Sequence, residues 1–207
     1  MGGDDVRATA AVCRAFLAGT LGRDWAAPIP GMTWTVAEAV AHVAQGLLWY
    51  AVDLSAGPRE LRTTELRVRP DSPPADLLTT IDAHAAVLAA TIDAAPADAR
   101  GWEPWGLPDP DGFAAVACDE LLIHTDDAAR GLGLAFTPPA AQAEATLRRL
   151  FPWAPADTGP GGDPRRDPWT TLRWANGRTD LPGRRRQTDW RWHCAPLAEW
   201  DGTNPTG

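Results

Sequence analysis

The chain has 207 residues, 44% of them hydrophobic and 22% charged, with a formal net charge of −8; this length suits one well-cored domain plus an extension, or two small domains. The acidic balance argues against general nucleic-acid affinity, which needs a basic footprint. All 19 basic residues are arginine, so Schiff-base and lysine-general-base chemistry are excluded.

Four amphipathic helices are predicted in chain order. Asp4 or Asp5 can cap the first, with Val6, Ala10, Cys13 and Leu17 spaced for one buried face and Gly19 and Gly22 marking its end. After the proline-broken "RDWAAPIPGMTW", the stretch "TVAE" from Thr35 to Glu38 is a capping box that opens a second helix, running to about Asp53. Gly57-Pro58 closes that unit, and an arginine-rich connector, "ELRTTELRVRPD", leads to "SPP", where Ser72 caps a third helix ending near Ala94. A breaker-rich loop, "PADARGWEPWGLPDP", precedes a fourth helix over Asp111–Gly133. Without β-branched runs between these helices, the pattern is all-α, a helical bundle over 1–137. The remainder, 138–207, is expected to hold a shorter helix in "PPAAQAEATLRRLFPW", a linker in "APADTGPGGDPRRDP" and a Trp- and Arg-rich tail folded back on the bundle. One short helix is expected in that tail, near 168–175.

The fourth helix carries the sharpest signal. At 100° per residue, Phe113, Val116, Ala117, Glu120, Ile123, His124 and Gly131 fall within about 60° of one direction, whereas Asp119, Asp126 and Arg130 point elsewhere. Glu120 and His124 therefore meet one turn apart on an apolar face, where a lone carboxylate is costly. His42, in the second helix, has the small residues Ala39 and Gly46 on its own side, so another helix can approach it closely. Two imidazoles and a carboxylate would leave part of a divalent ion's sphere open, the layout of a catalytic rather than a structural site. Spacing alone leaves open a plain salt-bridged or solvated pair. Asp127 shares the face of Glu120 and His124; it either orients an imidazole or lies on the helix surface. His84 reads as a satisfied boundary residue, and His193 beside Cys194 lacks further ligands.

Cys13, Cys118 and Cys194 form no CxxC pair, which points away from a disulfide framework or thiolate zinc site. No apolar run approaches the ~18 residues of a membrane span, and no basic region precedes an apolar one at the N-terminus. The expected location is the cytoplasm.

Three stretches resemble a known family. "GMTWTVAEAVAHVAQ" is similar to the signature opening the second helix of DinB-like bundles. "DELLIHTDDAARGLG" is similar to that of the branch containing mycothiol-dependent maleylpyruvate isomerase, and "LRWANGR" to the short "GR" motif that follows the bundle there. The resemblance implies an up-and-down bundle with an unusually long connection. It also implies a zinc ion on His42, Glu120 and His124, and mycothiol as co-substrate. Full-length isomerases of this kind have a larger C-terminal α/β domain, whereas about 70 residues follow the bundle here. The expected activity is S-transfer to, or thiol-assisted isomerisation of, a small electrophile. A metal-dependent hydrolase and a non-catalytic ligand-binding bundle are the alternatives. Beside the ligands, Asp127 is the candidate second carboxylate. Arg69 and Arg191, with Arg67 in the same connector, are the candidate cations for an anionic substrate. Trp49, Trp102 and Trp105, with Trp190 and Trp192, are the candidate walls of the site. Expected partners are a small substrate and a thiol, with the chain as monomer or homodimer and no nucleic acid or membrane.

Overall fold

A computed structural model describes residues 1–155 and 167–204. The described chain forms α1 (Gly3–Ala18), α2 (Val36–Ala56), α3 (Pro74–Ala94), α4 (Pro110–Gly131), α5 (Ala140–Leu150) and α6 (Pro168–Ala175), followed by a single 3-10 turn at Leu197–Glu199. Among the described residues there is no strand, only three isolated bridges. The fold is an all-α, DinB-like helical bundle.

Local chemistry sets the helix starts. At α2, Thr35 Oγ1 accepts the Glu38 N–H at 3.2 Å while Glu38 Oε2 accepts the Thr35 N–H at 2.7 Å, so two orphan donors are satisfied reciprocally. Thr35→Ala is expected to lower stability by about 1 kcal/mol, read as a shift of the urea midpoint. Two expected caps fall elsewhere. α1 starts on Gly2, whose N–H is accepted by Asp5 at 2.8 Å, so Asp5 works from inside the helix. α3 starts on Pro73 with Pro74 in its first turn and no side-chain cap; the rings set the backbone and leave Ser72 one residue outside. α4 begins one residue before the expected Asp111, because Asp109 caps it by accepting the Gly112 N–H at 2.7 Å.

Around the bundle, α1 packs on α3, α3 on α2, α2 on α4 and α4 on α1. The consecutive helices α1 and α2 therefore lie across a diagonal, as do α3 and α4, and the long connections 19–35 and 95–109 cross the ends. α3 alone among the described helices combines length with a mean hydropathy of 1.3 sufficient for a membrane span; Leu77, Leu78, Ile81, Leu88 and Ile92 are buried in the bundle instead.

The largest departure from the expected pattern is at α4. Every residue from Gly112 to Ala129 is buried, including Asp119 and Asp126, which the apolar stripe had turned outward. The reason is the C-terminal segment: α5 packs on α4 and α6 on α5, and the tail returns over the face left free by the bundle. Asp119 accepts the Asn176 side-chain N–H at 2.9 Å and the Trp192 indole N–H at 2.8 Å. Chain approach there is so close that a Cβ on Gly112 would lie 2.3 Å from the Cys194 carbonyl oxygen. Trp192→Phe keeps the ring and removes the donor, and is expected to cost about 1–3 kcal/mol in denaturant unfolding because a buried carboxylate oxygen loses its partner. The expected helix at 168–175 is α6, capped by Asp167. The fifth helix is shorter than its sequence pattern, Ala140–Leu150. Of the linker, 156–166 lie outside the described residues.

Candidate metal centre

α2 and α4 bring three side chains to one point. His42 Nε2 lies 3.0 Å from Glu120 Oε2, and His124 Nε2 lies 3.4 Å from the same oxygen. One ligand atom from each residue falls within 4.8 Å of the others. Glu120 and His124 are buried, while the His42 side chain is 41% exposed, so the cluster opens toward solvent on the α2 side. Trp34 stands over it, its ring 4.7 Å from that of His42 and 5.7 Å from that of His124. Because Trp34 immediately precedes the Thr35 cap, the capping box that starts α2 also fixes this wall.

Burial would raise the Glu120 carboxyl, but His124, His42 and Arg178 together hold it below the usual range. At His42, burial favours the neutral ring and the Glu120 carboxylate outweighs it, so its pKa is raised. Glu120 Oε2 is nevertheless buried without a well-directed hydrogen bond, although two imidazole nitrogens converge on it. Two imidazoles and one carboxylate converging there could hold a divalent metal ion.

Asp127 sits on the far side of His124, fully buried, with Oδ2 3.0 Å from His124 Nδ1. Arg178 Nη2 reaches Oδ2 at 3.0 Å, Arg178 Nε lies 3.4 Å from Oδ1, and Arg130 also contacts Oδ1. Burial would raise this carboxyl, yet His124 and Arg178 hold it well below the ordinary range. Asp127 faces Nδ1 of His124 rather than the Nε2 that approaches Glu120. Sequence reasoning missed Arg178 and Trp34. The signals were the "GR" of "LRWANGR" and the Trp adjoining the cap.

The expected cations divide. Arg67 lines a cleft of about 220 Å³ whose wall also includes Trp34, His42, Gln45, Val68 and the carboxylate-bearing Glu38. Gln45 Oε1 accepts the Val68 N–H at 3.2 Å, tying the connector to α2. Arg69 is exposed and lines none of the clefts described here, because the connector turns back at Ser72, whose N–H bonds the Arg69 carbonyl at 3.2 Å. Arg191 is also exposed, since its neighbours Trp190 and Trp192 take the inward positions. Neither is brought to the trio by a hydrogen bond or ion pair among the described residues.

The expected aromatic walls also separate. Trp49 and Trp102 share a cleft of about 500 Å³ with Asp53, Glu60, Leu61 and Arg62. Trp105 instead packs edge-on against Trp190 and Trp192, with ring centroids 5.5 and 4.9 Å away. In the first cleft, burial and then Glu60 push the Asp53 carboxyl up to about 6 from an ordinary 3.8. The folded chain thus keeps a proton that the unfolded chain releases, and stability falls as pH rises through that window. Asp53→Asn is expected to stabilise by about 1 kcal/mol or less at pH 8, since solvent screens a half-exposed group, and to give no gain at pH 4. Thermal melts at the two pH values check this.

The remaining histidines are held by backbone: His84 Nδ1 lies 2.7 Å from the Ala44 carbonyl oxygen and His193 Nε2 lies 3.2 Å from that of Pro196. All three cysteines are free and buried. Burial pushes Cys13 and Cys118 up to about 12, and burial with Glu103 raises Cys194. None is a thiolate near neutrality.

Among known protein families, the model for the mycothiol maleylpyruvate isomerase N-terminal domain matches residues 6–129. That stretch contains His42, Glu120, His124 and Asp127, and stops before Arg178. No curated protein and no solved structure matches the chain.

Proposed function

The chain belongs to the mycothiol maleylpyruvate isomerase N-terminal domain family, and from that premise we propose a metal-dependent enzyme that uses a mycothiol-like low-molecular-weight thiol. Its reaction is S-transfer to, or thiol-assisted isomerisation of, a small electrophile. The observation that carries this reading is the His42–Glu120–His124 cluster, closed on its α4 side and open at His42. These three residues would hold a zinc ion, whose Lewis acidity would favour the thiolate form of a thiol of pKa ~8.5 at neutral pH.

The chain's own groups do the rest. Glu120 provides the negative charge that balances a cation, and Asp127 keeps Nε2 of His124 turned toward the site. Trp34 covers the imidazoles and excludes water from one side. Arg67, at the edge of the cleft beside His42, provides the positive charge for an anionic substrate. The cleft between Trp49 and Trp102, two helical turns along α2 from His42, suits the part of the thiol remote from sulfur. Because burial suppresses ionisation of the three internal cysteines, the reacting sulfur comes from outside the chain. Three free cysteines also fit a reducing cytoplasm.

Thiol consumption is the test. Purified metal-loaded protein is incubated with mycothiol and a panel of small electrophiles, and free thiol and product are followed together. Consumption of thiol, or turnover that requires it without net loss, is expected. Turnover at full rate without any thiol would reject this reading in favour of a hydrolase.

A further inference from the structure

We infer that Arg178, in the C-terminal segment, is a positioning residue for the proposed metal ligand His124, acting through Asp127. The imidazole of His124 has two ends. Nε2 faces Glu120, and the buried Nδ1 has no well-directed hydrogen bond but lies 3.0 Å from Asp127 Oδ2, so the position of the Asp127 carboxylate bears on the direction of Nε2. Arg178 Nη2 is 3.0 Å from that same Oδ2, and Nε lies 3.4 Å from the other oxygen, a fork that resists rotation of the carboxylate.

The segment is built to place this guanidinium. α6 ends in a tight turn in which the Gly177 N–H bonds the Trp174 carbonyl at 2.9 Å and the Arg178 N–H bonds the Arg173 carbonyl at 2.8 Å. Gly177 adopts φ +70°, and a Cβ there would stand 2.5 Å from the Gln187 carbonyl oxygen, so glycine is required by both backbone and space. Arg178 Nη1 donates to the Asn176 carbonyl at 2.8 Å, and Asn176 is itself anchored on Asp119 of α4. The turn is thus pinned to the helix that carries Glu120 and His124. It lies outside residues 6–129, the stretch matched to the family.

Arg173 provides an internal control. Its Nε lies 3.1 Å from Asp126, so it joins the same segment to the same helix one residue away. Unlike Asp127, Asp126 makes no ion pair or hydrogen bond with a proposed ligand among the described residues.

The inference rests on the metal reading above, and the test separates the two. Zinc affinity by chelator competition and the visible spectrum of the cobalt-substituted protein are measured for wild type, Arg178→Ala, Arg178→Lys and Arg173→Ala, with thermal melts of the metal-free proteins alongside. Arg178→Ala is expected to weaken zinc binding about 10-fold, at the low end of the range for outer partners of a metal ligand, and to alter the cobalt bands. Arg178→Lys keeps the charge without the fork and recovers only part of the affinity. Arg173→Ala should stay within about 2-fold of wild type even where its melting temperature falls comparably. Unchanged affinity in Arg178→Ala, or an equal loss in Arg173→Ala, would overturn the inference while leaving the metal reading intact. A wild-type protein that binds no zinc would remove both.

Discussion

Replacing His42 by alanine is expected to reduce zinc affinity by more than about 100-fold, beyond the range for loss of an outer partner, while the fold persists. Its side chain is 41% exposed and leans on Glu120 and Trp34, so little core packing goes with it. Glu120→Gln should act similarly on affinity by a different route. It keeps the shape and removes the charge that offsets a cation in a buried setting. Metal content after dialysis against a weak chelator, with far-ultraviolet circular dichroism as the control for folding, checks both. Stoichiometric metal in His42→Ala would show that the ion sits elsewhere.

Arg149→Ala is expected to produce the largest loss of stability, about 3–5 kcal/mol, because it strips a buried cation from two carboxylates. The Arg149 side chain is only 4% exposed; its Nη2 lies 2.9 Å from Asp109 and its Nε 2.7 Å from Asp111. It also donates to the carbonyl oxygens of His193 and Cys194, both at 3.2 Å. One side chain therefore joins the first turn of α4, the end of α5 and the returning tail. For a chain of this size the melting temperature should fall on the order of 10 °C. Arg149→Lys should recover only part of this, since a single ammonium cannot replace four directed contacts. A loss below about 1 kcal/mol in Arg149→Ala would mean that the tail is held mainly by its tryptophans.

How much of this was legible in the sequence depended on whether the cause was local. The Thr35–Glu38 box and the apolar periodicity of the four long helices act within a few residues, and both are readable by eye. The Glu120–His124 pair was equally plain, because two polar side chains one turn apart on an apolar stripe demand a partner. His42 could be joined to them through its small neighbours and the family resemblance together. What stayed hidden depended on the tail. Asp119 and Asp126 look like ordinary solvent-facing acids until a segment more than 40 residues away covers them, whereas Asp127 already shared the face of Glu120 and His124. The "GR" motif did contain Arg178, and the tail's tryptophans were noted, but the α4 partners of Asn176, Arg178 and Trp192 could not be read from either. The arginines of the connector failed for a related reason. Arg67 and Arg69 are two residues apart, and only the tether from Gln45 to Val68 and the turn at Ser72 decide which of them lines the cleft beside His42.

X-ray absorption at the zinc edge of the loaded protein tests the central claim most directly. Two imidazole rings and light oxygen or nitrogen donors near 2.0–2.1 Å, at one ion per chain, are predicted, with one ring lost in His124→Ala. A first shell containing protein sulfur near 2.3 Å in the absence of added thiol, or two rings retained in that variant, would contradict the assignment of the site to His42, Glu120 and His124.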